Sequence, residues 1–276
     1  MNSSDLKYLI RSKSFKFMDN KNNKLHSSQV YNYMGNNIRY RASTSDMILI
    51  YEILLKNGYD SEYWLPKSFQ PKHILDIGAN IGITSILFSN KYPESIIHAF
   101  EPLPANFSLL QENTKPYNNV TCHPYGLEVE DATASLFTSS DSENFGGGSI
   151  YNKLGVDENL SVEIKIKNAQ SYLSPLLTSP PDLIKIDTEG AEHDILTAFD
   201  KDMLSKTKWI TGELHGNNDF DLLQYLSNIG FNIKINKEID NRLCIFHAIS
   251  DQELKGLSKE EIKQLNKKWR KSFYLG

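Results

Sequence analysis

Short apolar runs alternate along the chain with polar segments whose apolar residues recur at helical spacing. His73–Ile77, Ser95–Phe100, Asn119–His123, Asp182–Asp187, Trp209–Leu214, Phe231–Ile235 and Leu243–Ala248 read as strands. Between them, helices are predicted over residues 82–91 (ending before Pro93), Leu103–Asn113 (with Phe107, Leu109 and Leu110 apolar), Gln170–Leu177, Ala191–Phe199 and Phe220–Asn228. Buried strands alternating with helices predict an α/β fold, a doubly wound, mostly parallel sheet with helices on both faces. Ahead of the first strand, Ser43-Thr44-Ser45-Asp46 reads as a cap before Met47, Ile48, Ile50, Tyr51, Leu54 and Leu55. That helix is expected to stop near Asn57-Gly58.

Three segments lie outside this alternation. Residues 1–43 are rich in Asn, Ser and Lys and predict an N-terminal extension with a hairpin, Gln29–Tyr33 against Asn37–Tyr40 across Gly35-Asn36. It could be a lid, an arm that pairs two copies into a homodimer, or a poorly ordered leader packed on the core. An outer hairpin is expected from Thr133–Thr138 and Ser161–Ile166, and the polar stretch Ser139–Asn152 between them is too long for a plain connection. Its Phe145-Gly146-Gly147-Gly148-Ser149 reads as a loop over a ligand, with Phe145 and Tyr151 available to stack on a ring, or as a flexible hairpin tip. Ser258–Arg270 predicts a charged C-terminal helix after a final pair of strands around Asp240-Asn241; its basic surplus reads as a solvated face or a contact for an acidic partner.

Composition narrows the class. Apolar residues at 39% and charged residues at 23% of 276 fit an ordinary globular chain, not a disordered one. A net charge of −4 supplies no field for nucleic acid, and no apolar run is long enough to span a membrane. The first residues, Met1-Asn2-Ser3-Ser4-Asp5, lack a basic region followed by an apolar core, and Cys122 and Cys244 read as isolated buried thiols. A cytoplasmic protein is expected.

Candidate chemistry gathers at strand ends. In a doubly wound sheet, ligands bind beyond the carboxyl ends of the strands where strand order reverses. Those ends carry the Gly78–Gly82 turn, Glu101, Asp187, and Glu213 with His215. Glu101 lies 23 residues beyond Gly78, where an acid can accept hydrogen bonds from both ribose hydroxyls; the alternative is a carboxylate that caps the helix from Leu103. A dinucleotide fingerprint would place glycines where Asn80 and Ile83 stand, and no Gly-Lys-Ser/Thr phosphate loop follows. The remaining pattern, Asp76-x-Gly78-x-Asn80-x-Gly82, suits a nucleoside with a zwitterionic amino-acid tail, with Asp76 disfavouring phosphate and helping to hold an ammonium. This points to S-adenosylmethionine.

Three blocks together resemble the FkbM family of class I S-adenosylmethionine-dependent methyltransferases. They are Leu75–Gly82; Ala99-Phe100-Glu101-Pro102 with Asn106 and Leu110; and Ile184–Glu192. Glu213-Leu214-His215 fits too, Thr44-Ser45-Asp46 is similar to the family's segment ahead of the core, and the likeness covers roughly residues 40–216. The resemblance implies a seven-stranded Rossmann-like sheet: an extension (1–43), a methyltransferase domain (44–250) and a C-terminal helical tail (251–276). It implies that Asp76, Gly78, Ala79, Asn80 and Gly82 hold the methionine part, and that Glu101, followed by Pro102, holds the ribose. Gly126 and Leu127 would lie near the adenine, and Asp187 beside the sulfonium and acceptor. The acceptor it implies is a hydroxyl of a sugar, glycan or related natural product.

A hydroxyl acceptor must lose a proton. His215 is the expected base, since an unperturbed imidazole titrates at about 6.5, with Glu213 or Asp187 orienting it. The alternative for His215 is a structural hydrogen bond. Glu189 and Glu192 share a face at a helix start, where they bind substrate or a cation, or complement the helix dipole. Asp187, Glu189, Glu213 and His215 could hold a divalent ion, but the spacing does not demand one and no metal is expected. The rival readings are an NAD-dependent oxidoreductase on a similar fold and a nucleoside-binding module without chemistry.

Overall fold

The computed structural model describes residues 3–21, 27–56, 61–137, 161–215, 218–237 and 244–268. The expected stop at Asn57-Gly58, the Phe145–Ser149 loop with Tyr151, the Asp240-Asn241 turn and the chain beyond Lys268 lie outside these residues.

The chain begins with helices α1 (Ser3–Ser12) and α2 (Phe15–Asn20), then the hairpin β1 (Ser28–Tyr33) and β2 (Asn36–Arg41). Helix α3 (Ser45–Leu49) follows, with Thr44 capping it through its hydroxyl, and runs on as a wider π-helical turn over Ile50–Leu55. The central elements are β3 (His73–Ile77), α4 (Ile83–Lys91), β4 (Ile96–Phe100), α5 (Pro104–Thr114) and β5 (Val120–His123). A small side sheet comes next, of β6 (Gly126–Glu128), β7 (Ala132–Phe137) and β8 (Ser161–Asn168), and then α6 (Ala169–Leu173). The chain closes with β9 (Leu183–Ile186), α7 (Glu192–Thr197), α8 (Lys201–Ser205), β10 (Trp209–Leu214), α9 (Asp219–Asn228), β11 (Phe231–Lys237), β12 (Cys244–Ser250), α10 (Asp251–Gly256) and α11 (Lys259–Lys268).

The main sheet has seven strands in the order β11-β12-β10-β9-β3-β4-β5. β5, β4, β3, β9 and β10 are parallel neighbours; β12 alone runs against them, and β11, antiparallel to β12, rejoins their direction. The expected mostly parallel doubly wound sheet is therefore present. Strand order reverses between β3 and β9, which opens a crevice at their carboxyl ends.

Alternation along each strand separates two cores. Leu75, Ile77, Ile184, Ile186, Ile210 and Phe246 face helices α7 and α9 through Ile195, Leu196, Leu222 and Leu226. Ile74, Ile97, Leu183, Trp209 and Ile249 face the other way, into a core shared with Tyr8, Phe17, Tyr31, Ile38, Tyr40, Met47 and Ile50. The N-terminal segment is thus packed on the core and supplies much of the layer over one sheet face. Its aromatic residues do this: Tyr8 stacks on Tyr51 with centroids 4.2 Å apart, and Phe17 meets Tyr31 and Tyr40. The two opening helices were not apparent in the polar sequence. The hairpin is as expected, but it turns at Met34-Gly35, both with positive φ, one residue earlier than predicted. Cys122 is a free, half-buried thiol in contact with the Thr114 hydroxyl.

One ion pair clamps this layer to the sheet's helices. Arg41 donates two hydrogen bonds of 2.8 Å to Asp46, which is fully buried, and a third of 2.8 Å to Asn106 on α5. Removing one partner of a buried pair strands the other charge, whereas exposed pairs contribute little. Asp46→Ala is expected to lower unfolding free energy in urea by about 3–5 kcal/mol. Glu112→Ala, which breaks the exposed pair to Arg39, is expected to cost about 0.2–1 kcal/mol.

Candidate active site

The β3–α4 turn is built on backbone conformations that few residues accept. Gly78, Asn80 and Gly82 all have positive φ, at 76°, 51° and 90°. Gly78 can carry no side chain: a Cβ there would lie 1.8 Å from the carbonyl oxygen of Asp187. Asparagine tolerates the left-handed region better than most residues, which accounts for Asn80. The amides of Gly78 and Ala79 both donate to the Phe100 carbonyl, so the turn leans on the end of β4.

Glu101, just beyond β4, is buried and accepts from the amides of Asn80 and Leu103 at 2.9 Å each. It therefore caps α5 and braces the glycine turn, and it also lines the cleft. The capping reading is seen directly, and the two amides use two of the carboxylate's roughly four lone-pair sites. Burial pushes its pKa up to about 7, against the lowering effect of those two amides and of Lys185.

The cleft encloses about 1150 Å³ including its mouth. Of the expected ligand-holding residues, Gly78, Asn80, Glu101, Pro102, Gly126, Leu127 and Asp187 line it, as does Glu213. Asp76, Ala79 and Gly82 stand behind the turn. Asp76 is fully buried and accepts from Ser85 Oγ at 2.6 Å, so it is not placed to hold an ammonium in the cleft. Ala79 packs with Ala99 and Leu110, and Gly82 lies against Leu110 and Thr114. The cleft also takes Ser45, Leu49, Phe100, Tyr125, Ile164 and Ile166 in its wall, none of them expected.

Below the cleft lies a buried charge cluster centred on Lys185, which is 2% exposed. Its ammonium donates to the Gly78 carbonyl at 2.7 Å and sits 3.4 Å from Asp76 and 3.7 Å from Asp187. Burial alone would lower its pKa, but Asp76, Asp187 and Glu213 outweigh it and hold the ammonium above its ordinary value. The signal available in the sequence was a lysine between isoleucines; the structure puts it in register with Asp76 of β3 and Thr211 of β10.

His215 is the second buried cation. Nδ1 lies 3.2 Å from Glu192, and Nε2 lies 3.2 Å from Glu213 and 3.8 Å from Asp187. Burial favours the neutral ring, but the hydrogen bonds to Glu192 and Glu213 prevail and raise its pKa to about 11. This corrects the expectation of a free imidazole base near neutrality: both ring nitrogens are engaged by carboxylates and the side chain is 3% exposed. Glu213 is correspondingly lowered to about 2, because the contacts to His215 and Glu62 overcome its burial. Glu62, also unexpected, is raised well above the ordinary range by burial and by its hydrogen bond to Glu213.

Asp187 differs from its neighbours. It reaches the cleft, and burial raises its pKa despite Lys185 and His215. Tyr63 OH is 3.5 Å from its Oδ2. Glu192 is structural: Oε1 accepts from the amides of Thr188 and Gly190 and from Thr188 Oγ1, closing the β9–α7 turn. Glu189, at positive φ, lines the cleft. Asp187, Glu213 and His215 bring one ligand atom each within 4.8 Å of one another, and Glu189 is not part of that group.

Residues 76–233 match the family model described as the Methyltransferase FkbM domain. Methyltransferase 1 of Beauveria bassiana is 32% identical over 166 residues, 54% of this chain and 65% of that protein. Methyltransferase sdnD of Sordaria araneosa is 29% identical over 160 residues, 47% of this chain and 61% of that protein. The chain thus spans less than two thirds of either relative. Among solved structures, methyltransferase FkbM from Methylobacillus flagellatus KT aligns with 70% of this chain and 48% of its own, at 18% identity and a TM-score of 0.47. The strand order, with β12 alone antiparallel, is itself Rossmann-like. Since the matched domain covers more than half of its length, the chain belongs to the FkbM methyltransferase family.

Proposed function

We propose that the protein is an S-adenosylmethionine-dependent methyltransferase whose acceptor is a hydroxyl of a sugar, glycan or related natural product. The observation that carries this reading is the convergence of Gly78, Asn80, Glu101 and Asp187 on one cleft within a chain of the FkbM family. Asn80 Oδ1 is buried there without a hydrogen-bond partner, which suits a ligand that brings a donor. Glu101 would hold the ribose hydroxyls with its remaining lone pairs. Gly126 and Leu127, with Phe100, Ile164 and Ile166 around them, would form the apolar wall for the base.

S-adenosylmethionine supplies a methyl group on a positive sulfur, so the protein's share is alignment and proton removal. Alignment of the kind a rigid cleft gives can account for about 7–11 kcal/mol of a barrier. Asp187, which lines the cleft, is the group best suited to take the acceptor proton. Its raised pKa makes it a stronger base than an ordinary aspartate. Glu213 and His215 act as positioning residues: the imidazolium offsets carboxylate repulsion and fixes Asp187 from behind.

Labelled-methyl transfer over a panel of sugars, nucleotide-sugars and glycolipids tests the reaction, and calorimetry with S-adenosylhomocysteine and NAD tests the donor. Tight NAD binding with no S-adenosylhomocysteine binding would overturn the reading. Asp187→Asn is expected to reduce turnover about 10²–10⁴-fold while S-adenosylhomocysteine still binds. A chelator arm belongs in the same assay: activity lost to chelation and restored by magnesium would reassign Asp187, Glu213 and His215 to a cation.

His215 has a separate test in pH-dependent stability. Its folded pKa, about 11, lies above the ordinary value of about 6.5. Its contribution is therefore full below about 6.5 and fades as pH rises through about 11. His215→Gln is expected to lower the melting temperature most at pH 6, and the gap from the parent protein should narrow by pH 10. A gap independent of pH would remove the imidazolium from the account.

A further inference from the structure

We infer that Ser45, outside the matched domain and ahead of the first central strand, is a contact for the amino-acid tail of the bound nucleoside. This rests on the donor reading above and assigns a ligand group to a residue of the N-terminal layer.

Ser45 lines the same cleft as Gly78, Asn80 and Glu101. Its Oγ is buried and has no hydrogen-bond partner. A buried hydroxyl left unpaired costs about 1–3 kcal/mol, so an orphan at a cleft wall marks a place where a ligand group completes the bonding. Its neighbours are locked. Thr44 Oγ1 donates to the Arg41 carbonyl at 2.9 Å and accepts from the Asp46 amide at 3.2 Å. Asp46 is held by Arg41, which also grips Asn106, itself a cleft residue. The Ser45 hydroxyl is thereby fixed in place while contributing nothing to the clamp around it.

The chemistry of the two orphans selects the ligand group. Asn80 Oδ1 only accepts, so it suits an ammonium. The Ser45 hydroxyl can donate, so it suits a carboxylate. A zwitterionic α-amino-acid tail brings both a donor for Asn80 and a charged acceptor for Ser45, whereas a phosphate offers no donor for Asn80. Leu49, one turn further along, lines the cleft with no competing polar group. Ser45 would thus discriminate between nucleosides with and without the tail.

The test compares S-adenosylhomocysteine with 5′-methylthioadenosine, which keeps the nucleoside and sulfur but lacks the tail, by calorimetry on the full chain. Ser45→Ala is expected to weaken S-adenosylhomocysteine about tenfold or more, the size of a hydrogen bond to a charged group. Affinity for 5′-methylthioadenosine should stay unchanged, and Ser45→Thr, which keeps the hydroxyl, should restore most of the loss. Circular dichroism of both variants should match the parent, and neither should melt lower than it. Equal S-adenosylhomocysteine affinity in Ser45→Ala and parent overturns the inference and leaves the donor reading intact. Equal weakening of both ligands also overturns it, since the effect would then be on the cleft as a whole. If the parent protein binds no S-adenosylhomocysteine, the donor reading fails, and this inference with it.

Discussion

The site depends on one buried ammonium. Lys185 rises from the middle of β9 into a region where Asp76, Asp187 and Glu213 would otherwise repel one another, and it donates to the carbonyl of Gly78 at the head of the turn. Breaking a buried charged group from its partners costs far more than a surface pair, because the remaining charges have no water to turn to. The lysine therefore couples three things that a ligand would need together: the shape of the β3–α4 turn, the register of β3 against β9, and the charge state of Asp187. Gly78 belongs to the same constraint. The approach of its backbone to the Asp187 carbonyl, with no room for a Cβ, is what brings the turn within reach of the lysine.

The N-terminal layer serves the site through a different kind of contact. A parallel sheet needs both faces covered, and here α1 to α3 and the π-helical turn cover one of them with aromatic side chains. Their packing alone would leave the layer free to slide. The Arg41–Asp46 pair, with its bond to Asn106, pins it at the rim of the cleft, where bidentate guanidinium geometry fixes direction as well as distance. The cleft wall is consequently made from parts far apart in sequence: Ser45 and Leu49 from the layer, Glu101 and Asn106 from α5 and its approach, Ile164 and Ile166 from the side sheet.

Where the chain uses local signals, they were legible. The central strands and their helices follow from apolar periodicity, and the strand-end placement of Gly78, Glu101, Asp187 and Glu213 followed from topology. The helices at Ser3–Ser12 and Phe15–Asn20 were not legible, because their apolar residues are few and are recruited by tertiary contact with Tyr51 and Tyr40. Asp76 illustrates a second limit. Strand alternation decides which way it points, and the register with Lys185, not its nearness to the glycines in sequence, turns it into the interior. Ser45 and Glu62 illustrate a third, since no local pattern tells a serine or glutamate that a distant strand end will meet it.

His215 shows how the same limit alters a chemical role. Its type and strand-end position are those of a general base, and an imidazole in water would be one. What decides otherwise is the β9–α7 turn, which folds Glu192 back so that a single carboxylate oxygen gathers two amides, a hydroxyl and the ring. With Glu213 on the other nitrogen, the proton is held on both sides and the ring is shut away from the cleft. Charge then has to be balanced among the carboxylates that remain. Glu213 is held low beside the histidine, Glu62 is pushed up by burial, and Asp187, at the cleft surface, is pushed up as well. The turn that encloses the histidine therefore sets the environment of the carboxylates around the cleft as directly as their strand positions do.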